Sequence, residues 1–171
     1  MLSFDIGALH TTAAAVSGDL AADDPVWDDA DVRPAKGIHV SGRFSATGGG
    51  QYYFKGHMAG EIATECRRCL SDAQASVSEE VQIIFADPGA VGEDDPDVYP
   101  VSDRAKEIDL RAAVREQWLL TVPSLVLCRE DCRGLCPSCG TDLNLGACEC
   151  APAMKDPRWT AMEQIRQQLP D

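Results

Sequence analysis

Eight cysteines are the residues of this 171-residue chain whose type and spacing can do chemistry. Six stand between Cys128 and Cys150, in CREDCRGLCPSCGTDLNLGACEC, and two lie far upstream in ECRRCL, as Cys66 and Cys69. Thiolates separated by two residues can grip one ion because the backbone between them turns around it, and Zn2+ takes four such ligands in a tetrahedron. In CPSCGTDL, Cys136 and Cys139 are followed by Gly140, which tolerates the left-handed backbone that closes a knuckle of this kind. Cys148 and Cys150 follow closely enough to complete a loop with four sulfurs.

Four cysteines remain for a second ion. Cys128 and Cys132 follow a helix that Pro123 blocks, and Cys66 and Cys69 sit at a hairpin tip. If that helix ends near the tip, Cys66, Cys69, Cys128 and Cys132 share one ion, and Cys136, Cys139, Cys148 and Cys150 share the other. A rival partition joins Cys66 and Cys69 to Cys136 and Cys139 and leaves a looser set of four. Spacing indicates metal far better than it indicates which sulfurs share an ion.

The sites expected are structural and closed. Catalytic zinc keeps a position open for water and mixes in His or carboxylate ligands, whereas His10, His39 and His57 all lie outside the cysteine clusters. No catalytic residue is assigned: the chain shows no P-loop, no Gly-rich dinucleotide turn, no G-x-S-x-G and no deaminase signature. The alternative is a thiol redox or zinc-linked stress-sensing protein, since nearby positive charge lowers a thiol pKa. Against thioredoxin-like chemistry, no C-x-x-C here opens a helix inside a βαβ unit. Arg67, Arg68, Arg129 and Arg133 crowd one expected site. They either offset the net charge of about −2 on four thiolates and a divalent ion or form a small patch for phosphate or partner contact.

Period-two alternation supplies the frame for these sites. Ile38, Val40, Gly42 and Phe44 share a face, SATGGG turns the chain, and Phe54, Gly56, Met58, Gly60 and Ile62 return, with His39 and His57 on the polar face. A third strand carries Ala73, Ala75, Val77, Glu79, Val81, Ile83 and Phe85, so ECRRCLSD is the tip of an antiparallel pair. MLSFDI suits a short opening strand through Leu2, Phe4 and Ile6. The stretch Ala13 to Pro34, with Asp19, Asp23, Asp24, Asp28, Asp29 and Asp31, reads as a solvated loop or arm, and ADPGAVGEDDPDVYPVSD reads as a long loop. EIDLRAAVREQWLLTVP reads as a helix capped by Asp109, with Leu110, Val114 and Trp118 on one stripe. KDPRWTAMEQIRQQLP reads as a second, capped by Asp156, with Trp159, Met162, Ile165 and Leu169. Both stripes are expected to bury against the sheet. Beyond the recurring Cys pairs there is no internal repeat.

The fold class is therefore α+β: a twisted antiparallel sheet of long hairpin strands packed by two or three helices, with a C-terminal zinc-knuckle segment. Residues 1–127 form the core domain with the hairpin-tip Cys pair, and residues 128–171 form the Cys-rich segment and last helix, packed on that core. A formal charge of −13, from 28 acids against 15 bases, repels phosphate backbones and suits a basic protein partner. No run of 18 apolar residues and no basic n-region ahead of a hydrophobic stretch are present, so the expected location is the cytoplasm, where disulfides are disfavoured.

CRRCL after a strand, EIDLRAAVREQWLLTVPSLVLC, DCRGLCPSCGTDLN with a later Cys-x-Cys, and DPRWTAMEQI together resemble the bacterial and plastid YceD family, the large ribosomal RNA subunit accumulation proteins. The resemblance runs over residues 36 to 169 and is most specific in DCRGLCPSCGTDLN. It implies a non-enzymatic factor in large ribosomal subunit biogenesis whose partner is a pre-ribosomal particle, ribosomal protein or ribosomal RNA, with no membrane and no small-molecule substrate. The positions that match the family are Cys66, Cys69, the Ile108-Asp109-Leu110 helix start, Pro123 and the block from Cys128 to Cys150.

Overall fold

In the computed structural model, residues 2–28, 30, 32–90, 95–102, 104–150 and 156–168 are described. Asp29, Asp31 and Leu169, singled out in the sequence, lie outside them. A five-stranded sheet organises the chain in the order β2 (Ala14–Ala21), β3 (Pro34–Gly48), β4 (Gln51–Glu65), β5 (Asp72–Ala86), β6 (Val98–Pro100), antiparallel except for the parallel β5–β6 edge. A smaller antiparallel pair joins β1 (Ser3–Asp5) to β7 (Glu107–Asp109). The helices are α1 (Ile6–Thr11), α2 (Arg111–Thr121) and α3 (Thr160–Gln168). The α+β expectation holds.

Alternation decides which face is buried. Ile38, Val40, Phe44, Phe54, Met58 and Ile62 are fully buried on the inner face of β3 and β4, and Val77, Val81, Ile83 and Phe85 continue that face on β5. The β3–β4 turn passes through Gly48, Gly49 and Gly50, all at positive φ, so the SATGGG stretch does turn the chain. From Gln51–Ala86 to Glu65–Asp72 the β4–β5 register runs without interruption, which carries the tip between them to a fixed place. α2 covers this face with Leu110, Val114 and Trp118 fully buried. Complete burial of an aliphatic side chain such as Val114 stabilises by about 1.5–3 kcal/mol.

Four expectations are corrected. The acidic stretch from Ala13 is not all loop: it holds β2, whose Val16 and Leu20 are buried, and a 3-10 turn at Pro25–Trp27 whose indole is fully buried and donates to the Ala21 carbonyl at 2.9 Å. The inward period of Val16, Gly18 and Leu20 outweighs the acids, because Asp19 faces outward and pairs with His39 at 2.7 Å. The long acidic loop likewise contains β6. Helix α2 begins later than expected, with Leu110 at the N-cap, because backbone pairing with β1 draws Ile108 into a strand. Asp109 nevertheless accepts the Arg111 amide at 2.9 Å. Asp156 plays its expected part, accepting the Arg158 amide at 2.9 Å at the head of a 3-10 turn, Pro157–Trp159. The stripe beyond it does not bury: Trp159, Met162 and Ile165 are each more than half exposed, at 61%, 57% and 54%.

Candidate functional site

The uninterrupted β4–β5 pair ends in Cys66-Arg67-Arg68-Cys69-Leu70-Ser71, and hydrogen bonds lock this tip into a knuckle. The Leu70 amide donates to the Cys66 carbonyl at 2.9 Å, the Cys66 amide to the Ser71 carbonyl at 2.7 Å, and the sulfur of Cys69 lies 3.0 Å from the Ser71 hydroxyl. Cys136-Pro137-Ser138-Cys139-Gly140-Thr141 repeats the pattern. There the Gly140 amide donates to the Cys136 carbonyl at 2.9 Å, the Cys136 amide to the Thr141 carbonyl at 2.8 Å, and Cys139 Sγ lies 3.2 Å from Thr141 Oγ1. The residue after the second cysteine has positive φ in both, 61° for Leu70 and 74° for Gly140. The recurring Cys pairs are thus a structural repeat as well as a sequence one.

Each knuckle meets two further sulfurs. Cys66, Cys69, Cys128 and Cys132 form one group and Cys136, Cys139, Cys148 and Cys150 the other, with the sulfurs of each group all within 4.8 Å of one another. Cys66 Sγ lies 3.7 Å from Cys132 Sγ, and Cys69 Sγ 3.6 Å from Cys128 Sγ. An ion bonded to four thiolates at about 2.3 Å in a tetrahedron sets its sulfurs about 3.8 Å apart, so these spacings fit it. The sulfurs converge in the first of the two partitions the sequence allows; the rival grouping does not form. Cys66, Cys69 and Cys132 are buried and Cys128 is exposed, whereas in the other group Cys136 is buried, Cys148 half-buried and Cys139 and Cys150 exposed, so the first group is the deeper. The first group also straddles residue 127, the boundary expected between the two segments.

Connections across the sequence gap hold the inner group. The Arg67 amide donates to the Val126 carbonyl at 2.9 Å, Arg67 Nε to the Ser124 carbonyl at 3.0 Å, and Arg68 Nη1 to the Cys132 carbonyl at 2.9 Å. Arg129 pairs with Asp131 at 3.4 Å, and the Arg133 amide donates to Asn144 Oδ1 at 2.8 Å. Arg67 and Arg68 therefore act at least as structural ties beside the sulfurs. Next to them Leu70, Ile62, Leu119, Val122 and Val126 line a mostly apolar depression of about 520 Å³.

The thiols are electrostatically uneven. Burial pushes the Cys66 thiol up, but the amides of Arg68, Cys128 and Cys69 outweigh it and bring the pKa down to about 6. The Thr141 hydroxyl and amide bring Cys139 down to about 6. Burial, with help from the neighbouring cysteines, pushes Cys128 up to about 11. The nearby Cys139 and burial push Cys150 up to about 12. Within each group the neighbouring sulfurs thus oppose one another's ionisation, as like charges gathered at one place do. Sequence reasoning missed Ser71, Thr141 and Asn144, which hydrogen-bond to sulfur. The signal was present for two of them: a hydroxyl residue stands two places after the second cysteine of both C-x-x-C pairs.

Among the described residues no helix is long and apolar enough to cross a membrane. An uncharacterized protein of Mycobacterium tuberculosis is 32% identical over 113 residues, covering 64% of this chain and 53% of that protein. An uncharacterized protein of Mycobacterium leprae is 32% identical over 91 residues, 52% of this chain and 41% of that one. The Arabidopsis thaliana protein named large ribosomal RNA subunit accumulation protein YCED homolog 1, chloroplastic, is 31% identical over 64 residues, 37% of this chain and 20% of that one. The chain spans about half the length of the mycobacterial relatives and less of the plant one. No solved structure matches it. Residues 54–166, which include both sulfur groups, match the family described as large ribosomal RNA subunit accumulation protein YceD, and the chain belongs to that family.

Proposed function

We propose that this chain is a non-enzymatic, zinc-binding factor in large ribosomal subunit biogenesis, working in the cytoplasm on a pre-ribosomal particle. The observation that carries the reading is the pair of four-sulfur groups inside the family match, each composed of cysteine sulfurs alone. Zinc suits such a donor set because it accepts four soft thiolates in a tetrahedron without redox change. Bound there, it would supply folding free energy and local rigidity. Cys66, Cys69, Cys128 and Cys132 would fasten the hairpin tip to the segment after α2, and Cys136, Cys139, Cys148 and Cys150 would close the outer loop. The segment after residue 127 then acts as a clasp on the core.

With a charge of −13, the protein favours a basic ribosomal protein as its direct contact, and Arg67, Arg68, Arg129 and Arg133 offer a local basic patch for phosphate or partner. Elemental analysis of the purified chain is expected to give two zinc ions. Affinity capture of the full chain from cells is expected to bring down large-subunit components, and its depletion to lower large-subunit RNA. Capture of membrane or metabolic proteins with no large-subunit component overturns the ribosomal reading.

The thiol redox alternative draws on Cys66 and Cys139, both with pKa lowered to about 6. Titrating thiols with and without a chelator separates the two. Eight sulfurs that react only after metal removal support the structural reading; two that react at once with metal in place support the redox one.

A further inference from the structure

The loop between Cys139 and Cys148 belongs to both sulfur groups. Its Leu143 amide donates to the Gly134 carbonyl at 2.9 Å, Asp142 bridges to Leu135, and the Leu135 amide donates to the Arg68 carbonyl at 3.0 Å in the first knuckle. Gly134 makes the close stacking possible: it has φ 73°, and a Cβ there would stand 2.9 Å from the Arg68 carbonyl oxygen. At the centre of this contact is Asn144. Its Nδ2 donates to Cys132 Sγ at 3.5 Å and to Asp142 Oδ1 at 2.7 Å, its Oδ1 accepts the Arg133 amide at 2.8 Å, and its own amide donates to Asp142 Oδ1 at 2.8 Å.

These partners fix which way the side-chain amide points. The Arg133 N–H requires an acceptor and the Asp142 carboxylate requires a donor, so the nitrogen of Asn144, and not its oxygen, faces the Cys132 sulfur. A hydrogen bond to a ligating thiolate stabilises its charged form and orients it, the part outer-shell groups play around metal ligands. Asn144 is carried by a loop whose two ends are cysteines of the outer group, Cys139 and Cys148, yet the sulfur it touches belongs to the inner one.

On the zinc reading above, we propose that Asn144 is a positioning residue that couples the two centres: closing the outer group holds the 141–145 loop in place, and the loop then holds Asn144 against Cys132 of the inner group. Metal loss is therefore ordered. The outer group, with one buried sulfur against three in the inner group, empties first, and the inner ion is retained while the loop stays closed.

The test uses the full chain loaded with cadmium in place of zinc, read by cadmium NMR and by release to a chelator. The unsubstituted chain should show two resonances, of which Cys139→Ser removes the outer. Asn144→Leu should move the inner resonance and leave the outer one, and should speed release of the inner ion about tenfold, the usual scale for an outer-shell partner. Cys139→Ser should speed inner release in the same direction. Should Asn144→Leu fail to fold, Asp142→Ala removes the carboxylate that orients the amide and should shift the inner resonance by a smaller amount. An inner resonance and release rate untouched by these changes overturn the coupling. Fewer than two ions on the unsubstituted chain, counted in the same samples, overturn the zinc reading beneath it.

Discussion

The ring of Trp118 lies directly over Gly60, so close that a Cβ on Gly60 would stand 3.0 Å from it. The absence of a side chain at Gly60 lets α2 settle on β4, and α2 in turn aims the segment that delivers Cys128 and Cys132 to the tip. Gly60→Ala is expected to destabilise by about 1–3 kcal/mol through overpacking, and Trp118→Ala by about 3–5 kcal/mol through the cavity it leaves. Trp118→Phe should cost much less, because Trp118 Nε1 is buried without a hydrogen-bond partner among the described residues. Removing that N–H recovers about 1–3 kcal/mol of desolvation penalty and offsets the lost volume. Denaturant unfolding of the three variants checks the order.

Loss of one inner sulfur should loosen two distant segments together. Cys66→Ser is expected to hold one ion where the unsubstituted chain holds two. It should also raise hydrogen exchange both at the tip, residues 64–72, and at residues 122–132, because Arg67 and Arg68 tie these stretches through three hydrogen bonds. A chelator should reproduce the pattern. An unchanged metal content or an unchanged melt would refute the cross-link.

The knuckles differ in one residue that strain can read. Leu70 holds φ 61°, a conformation that costs an L-residue with a Cβ about 1–2 kcal/mol, and the residue is 60% exposed, so little packing is lost on removal of its side chain. Leu70→Gly should therefore stabilise the metal-loaded protein by about 1 kcal/mol, and Gly140→Leu should destabilise it by about 1–2 kcal/mol. If Leu70→Gly is more stable but no longer captures large-subunit components, Leu70 and the apolar depression beside it are the contact, since strain retained at an exposed position marks use.

At high pH the fold should lose support from Tyr52. Burial, then the hydrogen bond to Asp87 at 3.0 Å and the charge of that carboxylate, push its pKa up to about 12. A folded pKa above the ordinary value of about 10 means the contribution is whole below that pH and is lost as pH climbs toward the folded value. Tyr99, half-buried and bonded to Glu116 at 2.8 Å, is also pushed up to about 12, by desolvation first and then by that hydrogen bond. Ultraviolet titration should find both phenols ionising late, and Tyr52→Phe should flatten part of the alkaline fall in stability.

The long strands were legible because alternation of apolar and polar residues is local: Ile38 to Phe44 and Val77 to Phe85 announce a buried face without help from elsewhere. The tip cysteines followed from those strands, but two partitions of the sulfurs stayed open, because which sulfurs meet depends on where the end of α2 lies against the tip. β2 was hidden because the acids of its neighbourhood drown the short period of Val16 and Leu20. β7 was hidden because its partner is β1, about a hundred positions away, and pairing at that range leaves no local mark. Asn144 has no signature at all, since a single amide becomes meaningful only once two loops are stacked. The stripe on α3 has a clear helical period yet lies open, which period alone does not reveal.

Cys66 and Cys69 are synthesised before Cys128 and Cys132, and the separation between Cys69 and Cys128 is 59 residues. A nascent or truncated chain that stops short of Cys132 holds at most three of the four inner sulfurs, however well its sheet has formed. The fastening of the tip thus waits on Cys132, and a copy lacking that stretch would carry a loose end where one that has it can close.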